Sequence, residues 1–329
     1  MTARHVTPPP QEPPAPARRR RRGRNTPARR IAGSALFQRA IAALVRGLIG
    51  AVTRIGRARA ERLAIALFRL VGPLTPEHRT AARNIAAAFP EKSAAERKAI
   101  LAGCWRNLAR VAVEFLFLKE LAAGHDPARA DEGSITVPAA SIALFKSLRD
   151  DGKPAVVFAG HLANWEVLPV IARKFELPTI LPYHAPSNLH VAKELLRERE
   201  ALMGRLIPSD RKTPMAIGEA MEKGDHLGML IDQRLWKGID VPFFGRPALT
   251  NPLAAKFARQ FDCPVHGARA IRRPDGGLTL ELTPAIAMPR DAEGRIDVAG
   301  ATATMTAVLE GWIREHPEQY FWLHDRWRR

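Results

Sequence analysis

Cysteine is nearly missing from this chain, with two in 329 residues. Cys104 and Cys263 sit among apolar neighbours, so they read as small buried hydrophobes, without the paired or C-x-x-C spacing of a disulfide framework or zinc site. That usage fits a reducing, cytosol-facing compartment. Tyrosine is equally scarce, at two. With no zinc-ligand set and no RNA-binding aromatic signature, nucleic acid is not the expected partner. Acidic residues are outnumbered, 33 against 51 Lys and Arg, for a net charge of +18. Nor is there a clean run of the ~20 apolar residues that spans a bilayer. The first 30 residues do not follow arginines with an apolar core and small-residue cleavage site, so they are not a signal peptide.

The charge is unevenly spread. Residues 1–30 hold nine arginines, Arg4, Arg18 to Arg22, Arg24, Arg29 and Arg30, against Glu12 alone, and seven prolines. This segment is expected to be a disordered basic tail. The rest still carries +10, which favours an anionic partner such as a membrane surface or an acidic protein. Residues 31–74 alternate Ala, Leu, Ile and Val with Arg39, Arg46, Arg54, Arg57, Arg59, Arg62 and Arg69. Ala35 to Val45 and Leu48 to Val52 are each too short to span, and read together across Arg46 they make a marginal spanning helix. The preferred reading is one or two helices lying in the membrane interface with snorkelling arginines, against a helical hairpin packed on the body.

Residues 75–329 read as the main domain. Ser93 offers an N-cap with Glu96 three residues on, opening an amphipathic helix from about Ala94 to Leu118. Gly124 to Pro138 reads as a loop. Strand-like runs then follow at Ala155–Ala159, Thr179–Leu181, Leu227–Ile231, Val265–Ile271 and Leu278–Leu282. They alternate with helix-like runs at Ala140–Asp150, Trp165–Lys174, Leu189–Met203, Thr213–Lys223, Pro252–Gln260 and Val298–Glu315. This alternation specifies an α/β fold with a mostly parallel central sheet flanked by helices.

The chemistry concentrates at Gly160-His161-Leu162-Ala163-Asn164-Trp165-Glu166. An apolar strand stops at a glycine, a histidine follows, and a carboxylate comes five residues later where a helix begins. If Glu166 lies in the early turns of that helix, it can accept the imidazole Nδ1–H and leave Nε2 to deprotonate an alcohol. A structural hydrogen-bond partner is the competing reading of such a histidine. Asn164 is the natural N-cap. Gly228 to Arg234 is a second apolar strand with a polar end, so Asp232 should project at the same sheet edge as His161. Asp232 as a helix or loop cap is the plainer alternative. Ser209-Asp210-Arg211-Lys212 precedes a helix, where Arg211 could clamp a phosphate or simply be solvated. Val241-Pro242-Phe243-Phe244-Gly245-Arg246-Pro247-Ala248 reads as a flexible aromatic segment that either lines an acyl-chain groove or packs.

Together these residues resemble a family. His161-x4-Glu166 is similar to the H-x4-D/E motif of the glycerolipid acyltransferase superfamily, and the finer likeness is to the bacterial lipid A late acyltransferases, the lauroyl and myristoyl transferases. It rests on Arg83-Asn84-Ile85 with Ala88-Phe89-Pro90, Trp105-Arg106-Asn107-Leu108-Ala109-Arg110, and Gly160-His161-x-x-Asn164-Trp165-Glu166. It continues through Asp210-Arg211-Lys212, Asp232-Gln233 and Val241-Pro242-Phe243-Phe244-Gly245 to Gln319-Tyr320-Phe321-Trp322-Leu323-His324-Asp325-Arg326-Trp327. The blocks keep their order over residues 76–329.

The resemblance implies a glycerolipid acyltransferase-like fold and transfer of a fatty acyl group from acyl carrier protein, or less often coenzyme A, to a hydroxyl of a lipid A precursor. It places the site at the cytosolic leaflet of the inner membrane. It implies His161 as base and Glu166 as its partner, with Asn164, Arg211, Asp232 and Gln233 on the substrate side, and calls for no metal or organic cofactor. The chain has no Glu-Gly-Thr phosphate motif, which speaks against a lysophosphatidate substrate. Another glycolipid, phospholipid or aminolipid acceptor is the rival within the same chemistry. A non-catalytic membrane-binding protein is the rival outside it.

Overall fold

A computed structural model of the chain describes residues 35–130, 132–183 and 199–327, with side chains not described at 35–42, 44 and 45. The tail of residues 1–30 and most of the helix expected over Leu189–Met203 therefore lie outside the described residues; 199–203 are helical.

Alanine- and leucine-rich stretches form the first half. Helix α1 is Ala35–Ile55 and α2 is Arg57–Val71, separated by Gly56 at φ 80°, a left-handed conformation that suits glycine. No helix among the described residues is long and apolar enough to cross a membrane. A 3₁₀ turn, Gly72–Leu74, leads into α3, Pro76–Ala88, which Thr75 caps. The expected capping box is present at the start of α4, Ala94–Leu116: Ser93 Oγ accepts from the Glu96 amide and Glu96 returns to the Ser93 amide. Helix α5, Leu118–Ala123, follows at a bend.

The α/β pattern then emerges. Seven strands stand in the order β1-β9-β8-β2-β5-β3-β4. They are β1 Ile135–Thr136, β2 Val156–Ala159, β3 Thr179–Tyr183, β4 Arg205–Pro208, β5 His226–Leu230, β8 Val265–Arg272 and β9 Leu278–Leu282. All neighbours are parallel except β8 and β9. The flanking helices are α6 Ala139–Asp150, α7 Val167–Lys174, α8 Thr213–Met221, α9 Leu253–Phe261 and α10 Val298–Glu315. Alternation along β2 sends Val156 and Phe158 into a core shared with α3, α4, α8, α9 and α10, and Val157 and Ala159 toward one shared with α5, α6 and α7. The result is a three-layer sandwich.

Three expectations need correction. Gly124–Pro138 is not all loop, because its Ile135–Thr136 pairs with β9. The short strand β4, which begins at a charged residue and lies at the sheet edge, had no apolar run to announce it. Val241–Ala248 is not flexible: it belongs to a hairpin of β6 Arg234–Phe243 and β7 Arg246–Thr250, with Phe243 and Phe244 buried. Those rings pack edge-on against each other and around Trp322 and Trp327. Cross-strand pairing and aromatic burial override the turn-like Pro and Gly content.

Candidate active site

Strand β2 runs into Gly160 because nothing larger fits there. A Cβ on Gly160 would stand 2.5 Å from Leu309 Cδ1 on α10. The chain then turns, with Ala163 held at φ 47°, a costly backbone for a residue bearing a Cβ. The turn is held by a short bridge between Leu162 and Tyr320. The Ala163 amide donates to Gln319 O at 2.9 Å, and the Phe321 amide donates to His161 O at 3.0 Å.

Strand β5 lies beside β2 and ends one residue before Ile231-Asp232, so both polar residues emerge at the same C-terminal edge, as expected. His161 Nδ1 is 2.8 Å from Asp232 Oδ1, and the His161 amide donates to Asp232 Oδ2 at 2.9 Å. One carboxylate thus binds backbone and ring together, which fixes the imidazole plane and the Nδ1–H tautomer. Burial, and then the charge of nearby Asp232, push the Tyr320 hydroxyl well above its ordinary 10. The side chains of His161 and Asp232 are only 12% and 2% exposed. Gln233 Nε2 stands 3.3 Å from His161 Nε2, the nitrogen left to accept a proton. Trp165 packs on the ring edge-on at 4.7 Å, with Phe321 at 5.9 Å.

Burial disfavours a charged imidazole, but the Asp232 charge and hydrogen bond outweigh it, so His161 titrates above its ordinary 6.5. Burial also works against the Asp232 carboxylate. His161, through charge and hydrogen bonds, reverses that and holds Asp232 below 3.8. The pair has the geometry of a base with an orienting carboxylate.

That carboxylate is not the expected one. Glu166 is the residue before α7 and makes an ion pair with Arg199, so its side chain points toward the lip of a neighbouring cleft; only its more distant charge acts on His161. Five residues along a turn do not bring Glu166 to Nδ1, whereas strand adjacency brings Asp232 there. Asn164 does not cap α7 and is fully buried. Its Oδ1 accepts from the Glu166 amide at 3.1 Å and its Nδ2 donates to Glu114 at 2.9 Å, so both ends of the side chain are engaged within the fold. Arg211 lies exposed in the turn after β4, at the same sheet edge but outside the His161 cluster. Its neighbour Asp210 organises that turn, accepting from the Lys212 amide.

Several participants had no role in the sequence reading. Arg272 binds Glu114 through two nitrogens at 2.6 and 2.8 Å and Asn107 at 3.0 Å. Asn107 in turn donates to Ala163 O and Gln319 O. This buried network ties α4, the end of β8 and the C-terminal segment to the His161 turn. Its visible signal was polar residues on the core-facing stripe of α4: Asn107 and Glu114 align with Val111 at helical spacing. Asn84 likewise donates to Trp322 O and His324 O, both at 2.8 Å, and Arg83 pairs with Asp325 at 3.0 Å.

Beside His161, at Trp165 and Glu166, opens an apolar cleft of about 130 Å³, narrower than the roughly 300–1,000 Å³ of typical small-molecule sites. Trp165, Glu166 and Arg199 stand at its polar side; Leu168, Leu181, Met203, Leu230, Ala268 and Leu280 help to line it. Gly228 also faces it, where a Cβ would meet Leu181 Cδ2 at 2.5 Å.

A search of curated proteins finds none that matches. The family model described as bacterial lipid A biosynthesis acyltransferase matches residues 34–329. That span takes in both the His161–Asp232 pair and the apolar cleft, and it shows that this chain belongs to the bacterial lipid A biosynthesis acyltransferase family.

Proposed function

We propose that the protein transfers a fatty acyl group from the thioester of acyl carrier protein to a hydroxyl of a lipid A precursor at the cytoplasmic face of the inner membrane. The observation that carries this reading is His161, oriented by Asp232, next to an apolar cleft. His161 Nε2 takes the proton of the acceptor hydroxyl as its oxygen attacks the thioester carbonyl. The C–S bond then breaks, and the imidazolium returns the proton to the departing thiolate, so no external acid or base is consumed. Asp232 holds the tautomer and stabilises the imidazolium. The acyl chain lies in the cleft, with its carbonyl near Trp165 and Glu166 at the His161 end. Gln233 steadies the acceptor oxygen against Nε2. The net charge of +10 outside the tail suits an acidic carrier protein, and the related donor coenzyme A is expected to serve less well.

A non-catalytic membrane protein has no use for a buried His–carboxylate pair beside an apolar cleft. The test is direct: purified protein, lauroyl or myristoyl acyl carrier protein and a tetra-acylated lipid A precursor, with products read by mass spectrometry. One added acyl chain in wild type and none in His161→Ala supports the assignment. Equal product from both ends it, and product only with another glycolipid or an aminolipid changes the acceptor.

A further inference from the structure

Away from the His161 edge, helices α2, α3 and α4 enclose a second cleft of about 460 Å³, lined by Ile65, Arg69, Pro73, His78, Lys98, Leu101, Ala102, Trp105 and Arg106. None of these residues touches the catalytic pair or lines the apolar cleft beside it. Its α4 wall is one helical face, since Lys98, Leu101, Ala102, Trp105 and Arg106 recur at three- and four-residue intervals. The floor is apolar: Leu101 and Trp105 are buried, and the Trp105 indole N–H donates to His78 Nδ1 at 3.0 Å, which fixes both rings.

The rim is cationic. Arg69, Lys98 and Arg106 are exposed, no carboxylate lines the cleft, and none of the three makes an ion pair among the described residues. Three like charges around an apolar trough repel one another and gain when an anion neutralises them.

The surface beside the cleft says what kind of anion. At 100° per residue, the outward arc of α2 runs from Ile65 and Arg69 in the cleft through Arg62 and Arg59 to Leu70, Leu63 and Leu67. Those three leucines are 73%, 63% and 56% exposed. Leu74 follows, exposed on the next turn. Exposed leucines interleaved with arginines suit a bilayer of anionic headgroups and not the hydrated face of an acidic protein.

We infer that this cleft binds one anionic phospholipid, its phosphate held by Arg69, Lys98 and Arg106 and part of an acyl chain laid on Ile65, Leu101 and Trp105, while the α2 leucines enter the same leaflet. The site is distinct from the acyl-transfer centre and does not depend on which substrate that centre takes.

The test uses the full chain and vesicles of phosphatidylcholine with or without phosphatidylglycerol, followed by flotation. At about a fivefold loss per surface cation, Arg69→Gln/Lys98→Gln/Arg106→Gln should bind phosphatidylglycerol vesicles roughly 100-fold more weakly. The control Lys153→Gln/Lys223→Gln/Lys256→Gln removes equal charge from exposed positions elsewhere and should lose less than about fivefold through long-range attraction alone. Circular dichroism and melting should match wild type for both. Soluble dihexanoyl phosphatidylglycerol should bind wild type in titration calorimetry, and Ala102→Phe, which fills the trough and keeps every charge, should abolish that heat. Inorganic phosphate at the same concentration should not compete.

Equal losses in both triple variants would overturn the site in favour of diffuse charge. Effective competition by inorganic phosphate would reduce it to a phosphate site without a lipid. Unchanged dihexanoyl binding in Ala102→Phe would remove the trough from it. Normal vesicle binding with lost binding of acyl carrier protein would make the cleft a protein-docking surface instead.

Discussion

Replacing Asp232 by asparagine should cost far more than its single atom of change suggests. With 2.8 Å between His161 Nδ1 and Asp232 Oδ1 and an effective dielectric of about 20, the carboxylate attracts an imidazolium by about 6 kcal/mol. Only the transition state, where His161 gains the proton, draws on that attraction, so the full figure is a ceiling near 10⁴-fold in kcat. Asparagine keeps a polar contact but loses the charge, and its amide can donate to Nδ1, which would present the wrong tautomer at Nε2. We expect kcat to fall ~10³–10⁴-fold with KM little altered, because Asp232 is buried away from substrate. The pH profile gives an independent check. His161 must be neutral to act, and its pKa is raised above 6.5 in the wild type, so the acid limb of kcat/KM should lie above pH 6.5. Without Asp232 the raising influence goes and burial remains, so the limb should move to lower pH. Stopped assays over pH 5 to 9 with a fixed acyl donor would measure both quantities. Activity within about tenfold of wild type, or an acid limb that moves upward, would refute the pairing of Asp232 with the base.

Glu166→Gln, by contrast, breaks the ion pair with Arg199 at the cleft lip and should act mainly on KM for the acyl donor; a loss in kcat as large as that of His161→Ala, non-additive in the double variant, would restore Glu166 as the orienter. Ala268→Leu narrows the apolar cleft by about three carbons and, at about 0.8 kcal/mol per methylene, should disfavour long acyl donors over short ones by roughly 30- to 60-fold, which competition between two donors read by mass spectrometry would reveal. Glu114→Gln leaves Arg272 buried with its charge uncompensated, both side chains being 5% exposed or less; it should destabilise by about 3–5 kcal/mol, seen in chemical denaturation, whereas Glu114→Met/Arg272→Met should recover much of that loss. Gly160→Ala drives a methyl into Leu309 and should cost about 1–3 kcal/mol, and a second change, Leu309→Ala, should restore activity more than it restores stability.

Much of this architecture was written in local sequence. Apolar runs located five strands, helical spacing located most of the helices, and Ser93 with Glu96 marked the start of α4 correctly. These features are legible because they rest on periods of two and 3.6 residues and on hydrogen bonds that span three or four positions. The meeting of His161 and Asp232 at one edge was half legible: two strands with polar C-terminal ends implied a shared edge but not a shared hydrogen bond. Which carboxylate meets the imidazole was decided by strand order, since β5 rather than the start of α7 lies against β2. Sequence proximity favoured Glu166, yet a turn of five residues with Ala163 at positive φ aims that side chain elsewhere. Asn164, Glu114 and Arg272 lie 50 to 158 positions apart along the chain, as their hydrogen bonds record. Helical spacing shows Asn107 and Glu114 on a core-facing stripe but not what they meet, because a buried charge is tolerated only where folding supplies its partner. The rim of Arg69, Lys98 and Arg106 is likewise a product of packing, in which α2 and α4 bring their cations to one apolar trough.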